Sequence, residues 1–154
     1  MQEMCRDRLF DLPVAIFNVF TCSMCYKYLF HFDNQLTPHP SQPWKLVPSP
    51  FGMDNYSANF SVVADVTNVT SRDFVCDALS AEDCTRWMDC CYAAIACCES
   101  QLSTPTRNLS VSDPFCPRTW DGYGCFGDTE PSSRAYLQCP SYVEHSSITG
   151  NEYI

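Results

Sequence analysis

Twelve cysteines in 154 residues constrain this chain more than any other feature. A chain of this length has room for one modest domain plus tails, and a small domain buries too little apolar surface to be secure on burial alone. Cysteine at this density reads as a disulfide framework, in which each bridge contributes roughly 2–4 kcal/mol. The competing reading is a cytosolic thiol-rich or zinc-binding protein. Glycosylation acceptors separate the two. Asn-x-Ser/Thr occurs at Asn55, Asn59, Asn68 and Asn108 among seven asparagines, where chance gives roughly one. The secretory route, and with it an oxidising compartment, is the expectation. A net charge of −9 argues against nucleic acid and anionic lipid as partners, since both need a basic surface to neutralise phosphate. A basic peptide is compatible with it.

Residues 1–23 read as a signal-peptide-like segment: Arg6 and Arg8, then the apolar stretch Leu9–Phe20, then Thr21-Cys22-Ser23. Asp11, Pro13 and Asn18 interrupt the run, so a non-native start competes with this reading. Cleavage after Ser23 removes Cys5 and Cys22 and leaves ten cysteines, an even number. On this reading the Cys22-Ser-Met-Cys25 spacing is incidental. Residues 24–79 read as an irregular, glycosylated, Pro-rich linker, with Pro38, Pro40, Pro43, Pro48 and Pro50 ahead of the sequons at Asn55 and Asn59. Ser61–Val69 is β-branched enough for a short strand ending at an exposed Asn68.

Ser80-Ala-Glu-Asp83 resembles a capping box and opens the strongest regular element. Cys84, Met88, Cys91, Ile95, Cys98 and Leu102 recur at alternating steps of four and three, one stripe of a helix that Trp87 flanks. The helix is predicted to stop near Gln101, because Thr104 precedes Pro105. Cys90 and Cys97, like Cys91 and Cys98, lie roughly 10 Å apart along such a helix, beyond the roughly 7 Å a disulfide tolerates. These cysteines therefore reach elsewhere, and Cys98 on the stripe is the one expected to pin the helix to the following segment. The helix supplies no Cys-x2–4-Cys clip, so no metal site is expected. After a loop with the sequon at Asn108, turn residues from Asp121-Gly122 to Pro131-Ser-Ser predict short hairpins.

Residues 116–143, CPRTWDGYGCFGDTEPSSRAYLQCPSYV, closely resemble the middle of the hormone-receptor domain of secretin-family (class B) G-protein-coupled receptors. The shared landmarks are Cys116, the Arg118-Thr-Trp-Asp121 run, Cys125, the Asp128–Pro131 turn and Cys139-Pro-Ser-Tyr142. With the preceding helix, the resemblance covers about residues 80–145, and 80–154 is assigned to this domain. It implies a small disulfide-rich α+β fold, with one amino-terminal helix packed on two short antiparallel β hairpins. It implies that Cys98, or as second choice Cys97, pairs with Cys125. Cys116 and Cys139 stand where the family's second and fourth cysteines pair with a fifth and a sixth, yet no cysteine follows Cys139. A truncated product, or substitute partners among Cys76, Cys84, Cys90, Cys91 and Cys97, would account for this. Trp120 and Asp121 match the family's characteristic core residues. Phe126 stands in place of its tryptophan, and the Gly after Pro131 is absent. The doubled cysteines resemble an invertebrate branch near pigment-dispersing-factor or calcitonin-like receptors.

The resemblance further implies that a peptide hormone or neuropeptide binds as an amphipathic helix in a groove. Trp87, Met88, Tyr123, Tyr142 and Val143 match the ligand-facing positions, and the alternative for each is to fill a small core. A G protein would be engaged only through a seven-helix region absent from these residues. The parent receptor would display the domain on the extracellular face of the plasma membrane, and the chain alone would be secreted. A soluble Cys-rich decoy or a non-functional truncated product is the other reading. His31, His39 and His145 accompany no nucleophile motif or metal clip, so neither enzymatic activity nor a cofactor is expected.

Overall fold

A computed structural model describes residues 2–8, 10–30, 35–105, 114–143 and 152–153. The chain is a small α+β domain held by five disulfides. The segment Ala81–Ser103 forms a 23-residue helix to which the other elements are fastened. Its start follows from Ser80, whose Oγ accepts from the Asp83 backbone N–H at 3.1 Å, with Glu82 and Asp83 favourable at the positive helix end. It runs two residues past the predicted stop, to Ser103, and the C-cap Thr104 takes the extended conformation that Pro105 demands.

The buried face of this helix is not the predicted stripe. Trp87, Cys90, Cys91, Ala94, Cys97 and Cys98 are buried, Met88 and Ile95 are half-buried, and Leu102 is exposed. The centre of burial is turned about a fifth of a turn from expectation at 3.6 residues per turn. The cause lies in the first 29 residues. Strands β1 (Met4–Asp7) and β2 (Phe10–Pro13) form an antiparallel hairpin, and helix α1 (Val14–Leu29) follows immediately. Cys22 and Cys25, one turn apart on the same face of α1, bridge to Cys91 and Cys90. Cys5 on β1 bridges to Cys98.

Residues 1–23 are thus built into the disulfide framework, and the division expected at residue 23 falls inside α1, between the two cysteines of its ladder. Cleavage after Ser23 would open the bridges of Cys5 and Cys22. The Cys22-Ser-Met-Cys25 spacing is structural rather than incidental. What reads as a leader's apolar core is a helix apolar on most sides, whose stretch Thr21–Tyr26 is wholly buried. Hydropathy alone does not separate the two cases.

Residues 36–76 are also ordered, contrary to the linker expectation. β3 (Leu36–Pro38), β4 (Lys45–Pro48) and β5 (Val62–Val63) make a three-stranded antiparallel sheet. Pro38 and Pro48 sit at strand ends, where a missing N–H costs little, and Leu36 and Leu46 are fully buried. Helix α2 (Val69–Cys76) follows, and Asn68 is its N-cap rather than a strand end, accepting from the Ser71 N–H at 3.0 Å. Cys76 bridges to Cys84 on the long helix, hereafter α3.

Beyond α3, β6 (Thr119–Trp120) and β7 (Cys125–Phe126) form the first predicted hairpin. β1 joins β6 in parallel, Asp7 opposite Trp120, giving a sheet ordered β2-β1-β6-β7. A second antiparallel pair is formed by β8 (Tyr136–Leu137) and β9 (Glu152–Tyr153). Cys125 is bridged to Cys97, the second choice, because Cys98 is taken by Cys5. Adjacent residues point about 100° apart around a helix, so Cys97 faces the β6–β7 hairpin while Cys98 faces β1. The substitute partners considered for Cys116 and Cys139 are all occupied, and these two cysteines stand outside the five bridges.

Candidate functional site

The β6–β7 hairpin is locked by its own sequence. Asp121 Oδ1 accepts from the backbone N–H groups of Tyr123 at 2.9 Å and Gly124 at 2.7 Å. Gly122 between them has φ +106°, a conformation side chains resist. Trp120 is buried beneath the turn. Arg118 clamps the hairpin to the end of α3, pairing with Asp128 through Nε at 3.2 Å and Nη2 at 2.8 Å. It also donates to the carbonyls of Gln101, Thr104 and Pro105, placing a cation at the negative end of the helix.

The amino-terminal hairpin adds the surface that the sequence reading did not supply. Arg8, at φ 55°, donates its backbone N–H to Trp120 O at 2.9 Å and its Nη2 to Tyr28 Oη at 2.8 Å. Its guanidinium also lies 5.3 Å over the Tyr28 ring. The Tyr28 ring sits 5.6 Å from that of Tyr123, and it can do so because Gly122 has no Cβ, which would stand 3.1 Å from Tyr28 Cε2. Tyr142 donates its hydroxyl to Tyr123 O. On the far side, Arg86 of α3 donates to Tyr142 O at 2.9 Å and lies 5.4 Å over Phe30. Arg8, Tyr28, Tyr123, Tyr142 and Arg86 therefore form one connected row across the ends of α1, the hairpin and α3.

Electrostatically the row rests on a buried carboxylate. Asp7 is almost wholly buried, and burial pushes its pKa above the ordinary 3.8, against Arg8 and with help from the charge of Asp121. Asp7 Oδ2 and the Trp120 indole N–H are buried with no hydrogen-bond partner among the described residues. Burial likewise raises the phenols of Tyr123 and Tyr142, so both are neutral donors near pH 7.

The predicted ligand-facing residues part company here. Tyr123, Tyr142 and Val143 are brought together at the hairpin edge, Tyr123 and Val143 half-buried and Tyr142 buried. Met88 is half-buried against the core. Trp87 has no exposed surface and donates its indole N–H to Cys22 O at 3.0 Å, so it belongs to the core. Asn55, Asn59 and Asn68 are exposed, and Asn108 lies outside the described residues. Arg8 and Tyr28 were missed because the family resemblance starts near residue 80 and assigns no role to residues 1–79. The available signal was Cys22 and Cys25 at helical spacing, which brings α1 onto the cysteine-bearing helix.

A cleft of about 600 Å³ opens at the other end of the sheet, lined by Met4, Arg6, Leu102, Phe115 and Arg118 among others. Its main cation, Arg118, is consumed by the clamp. Among the described residues no helix is long and apolar enough to cross a membrane.

The chain is 38% identical over 65 residues to the G-protein coupled receptor seb-2 of Caenorhabditis elegans. That stretch covers 42% of this chain and 13% of the receptor. A segment of the chain is thus receptor-related, and the chain spans a small fraction of its relative's length. No protein-family profile matches the chain, and no solved structure matches it.

Proposed function

We propose that the chain is the extracellular, peptide-binding part of a secretin-family (class B) G-protein-coupled receptor, with a peptide hormone or neuropeptide as ligand. The observation that carries this is the Cys97–Cys125 bridge, which ties the long helix to the Trp120–Asp121 hairpin, where Tyr123 stacks half-buried beside Tyr28. The ligand docks as an amphipathic helix against that pair, Val143 and the exposed part of Met88. Rigid aromatic rings with a wet edge are the side chains that anchor such a helix at low entropic cost. The acidic surface favours a ligand with basic residues, and nucleic acid is not a partner. The domain sits on the extracellular face of the plasma membrane, glycosylated at its exposed sequons, and has no catalytic role of its own. G-protein coupling belongs to a seven-helix region outside these residues.

The test is binding of a panel of helical neuropeptides to the chain produced through an oxidising secretory route. Tyr123→Ala and Tyr28→Ala should each weaken the best peptide by roughly ten-fold, the loss of about 1–2 kcal/mol expected of an anchor. A folded, fully bridged protein whose peptide affinity ignores both substitutions overturns the reading.

A further inference from the structure

We propose that the first saccharides of an N-linked glycan on Asn59 lie in a groove of this same chain, running from Asn59 to Tyr56 and Met53. The inference rests on the secretory reading above and adds a seat for the sugar. Asn59 itself lines a cleft of about 250 Å³, together with His39, Gln42 and Lys45. A second cleft of about 330 Å³ shares His39, Val47 and Ala58 with the first and is walled by Pro48, Met53 and Tyr56.

The two halves match the two sides of a pyranose ring. A saccharide offers hydroxyls around its rim and C–H groups on its faces. Near Asn59 the groove presents polar side chains. His39 Nδ1 accepts from the backbone N–H groups of Ser41 and Gln42, each at 3.1 Å, which fixes the ring proton on Nε2 as a donor. The Gln42 amide and Lys45 ammonium add further donors. Farther along, Met53, Pro48 and the Tyr56 ring supply the apolar wall. The Tyr56 ring is braced by Phe60 at 4.8 Å, which meets Phe74 edge-on at 5.9 Å, so little order is lost on contact.

Size and tethering favour the chain's own glycan over a free ligand. Each cleft lies at or below the lower end of the roughly 300–1,000 Å³ typical of small-molecule sites, and free sugar would bind weakly. A sugar attached at the groove wall is present at an effective concentration on the order of millimolar, so weak contacts suffice. It would also cover Met53, a large apolar side chain left 64% exposed by the protein alone. The other exposed sequons differ: the Asn55 amide donates to Gln35 and Asn68 caps α2, and neither lines this groove.

The experiment uses the full chain secreted by a host that adds high-mannose glycans. Glycopeptide mass spectrometry first reads Asn59 occupancy; an unmodified Asn59 on secreted, bridged protein overturns both the seat and the glycosylation assigned to this sequon. With Asn59 occupied, N59Q should lower Tm by about 2–4 °C, while T70A, which removes the Asn68 sequon and keeps its cap, should change it by less than about 1 °C. Trimming to a single N-acetylglucosamine should retain most of the effect. Y56A should lower Tm in the glycosylated protein more than in the N59Q background, and Y56F, which keeps the ring, should behave as the parent. Occupied Asn59 with N59Q indistinguishable from T70A, or Y56A equally costly in both backgrounds, overturns the seat and leaves the glycosylation reading standing.

Discussion

Trp87 donates its indole N–H to the backbone carbonyl of Cys22, 3.0 Å away, and Cys22 is in turn bridged to Cys91 one helical turn along from Trp87. The ring is therefore a strut between α1 and α3. Trp87→Phe should cost about 1 kcal/mol for the lost hydrogen bond, and Trp87→Ala about 3–5 kcal/mol once the cavity is added. Urea unfolding reads both. Peptide affinity of the folded Phe variant should equal that of the parent; a selective affinity loss at unchanged stability would put the ring at the binding face.

Neighbouring cysteines on α3 serve different partners, and mapping decides between them. Non-reducing peptide maps should recover Cys97 with Cys125 and Cys98 with Cys5. Cys98→Ser should leave the Cys5 thiol open to alkylation while Cys125 stays bridged. The Cys5–Cys98 bridge spans 93 residues of chain, and its loss should cost about 2–5 kcal/mol. Recovery of Cys98 joined to Cys125 would reject the arrangement of β1 on α3.

Local rules made part of this legible. Ser80 and Asp83 specify a helix start whatever packs on it, and Asp121-Gly122 specifies a tight turn because only a short acceptor side chain and a glycine suit it. The face that α3 buries is another matter. Burial at Trp87, Cys90 and Cys97 is set by α1 and the two hairpins, which are remote in sequence, so periodicity on α3 alone placed the stripe too near Met88 and Leu102. The proline-rich stretch misled for a related reason. Pro38 and Pro48 weaken strand propensity taken singly, yet paired at the ends of a short ladder they forgo few hydrogen bonds. Tyr28 carries no local signature, and it reaches the candidate surface only because α1 is laddered to α3.

Asp7 makes stability depend on acid in an unusual direction. Burial raises its pKa above 3.8, so between 3.8 and that raised value the folded state holds more protons than the unfolded state. Its contribution is then fully favourable at the acid end and declines as pH rises through the window. Arg8, Asp121 and Trp120 are the groups that face it. Measured as a difference from the parent across pH 4–7, Asp7→Asn should gain relative stability as pH rises. Parallel curves for the two proteins would show that Asp7 is not the group responsible.

Gly122 and Gly127 lie five residues apart on the same hairpin and should answer differently to alanine. At Gly122, φ is +106° and a Cβ would stand 3.1 Å from Tyr28 Cε2. Alanine there should cost about 1–3 kcal/mol in backbone strain and push Tyr28 away from Tyr123, lowering peptide affinity together with stability. At Gly127 nothing lies within 4 Å of the added carbon and φ is not left-handed. Alanine there is expected to be neutral or to stabilise by up to about 1 kcal/mol through the unfolded chain. Thermal unfolding and peptide titration of the two variants separate the effects: Gly122→Ala with parental affinity would detach the Tyr28–Tyr123 contact from ligand binding.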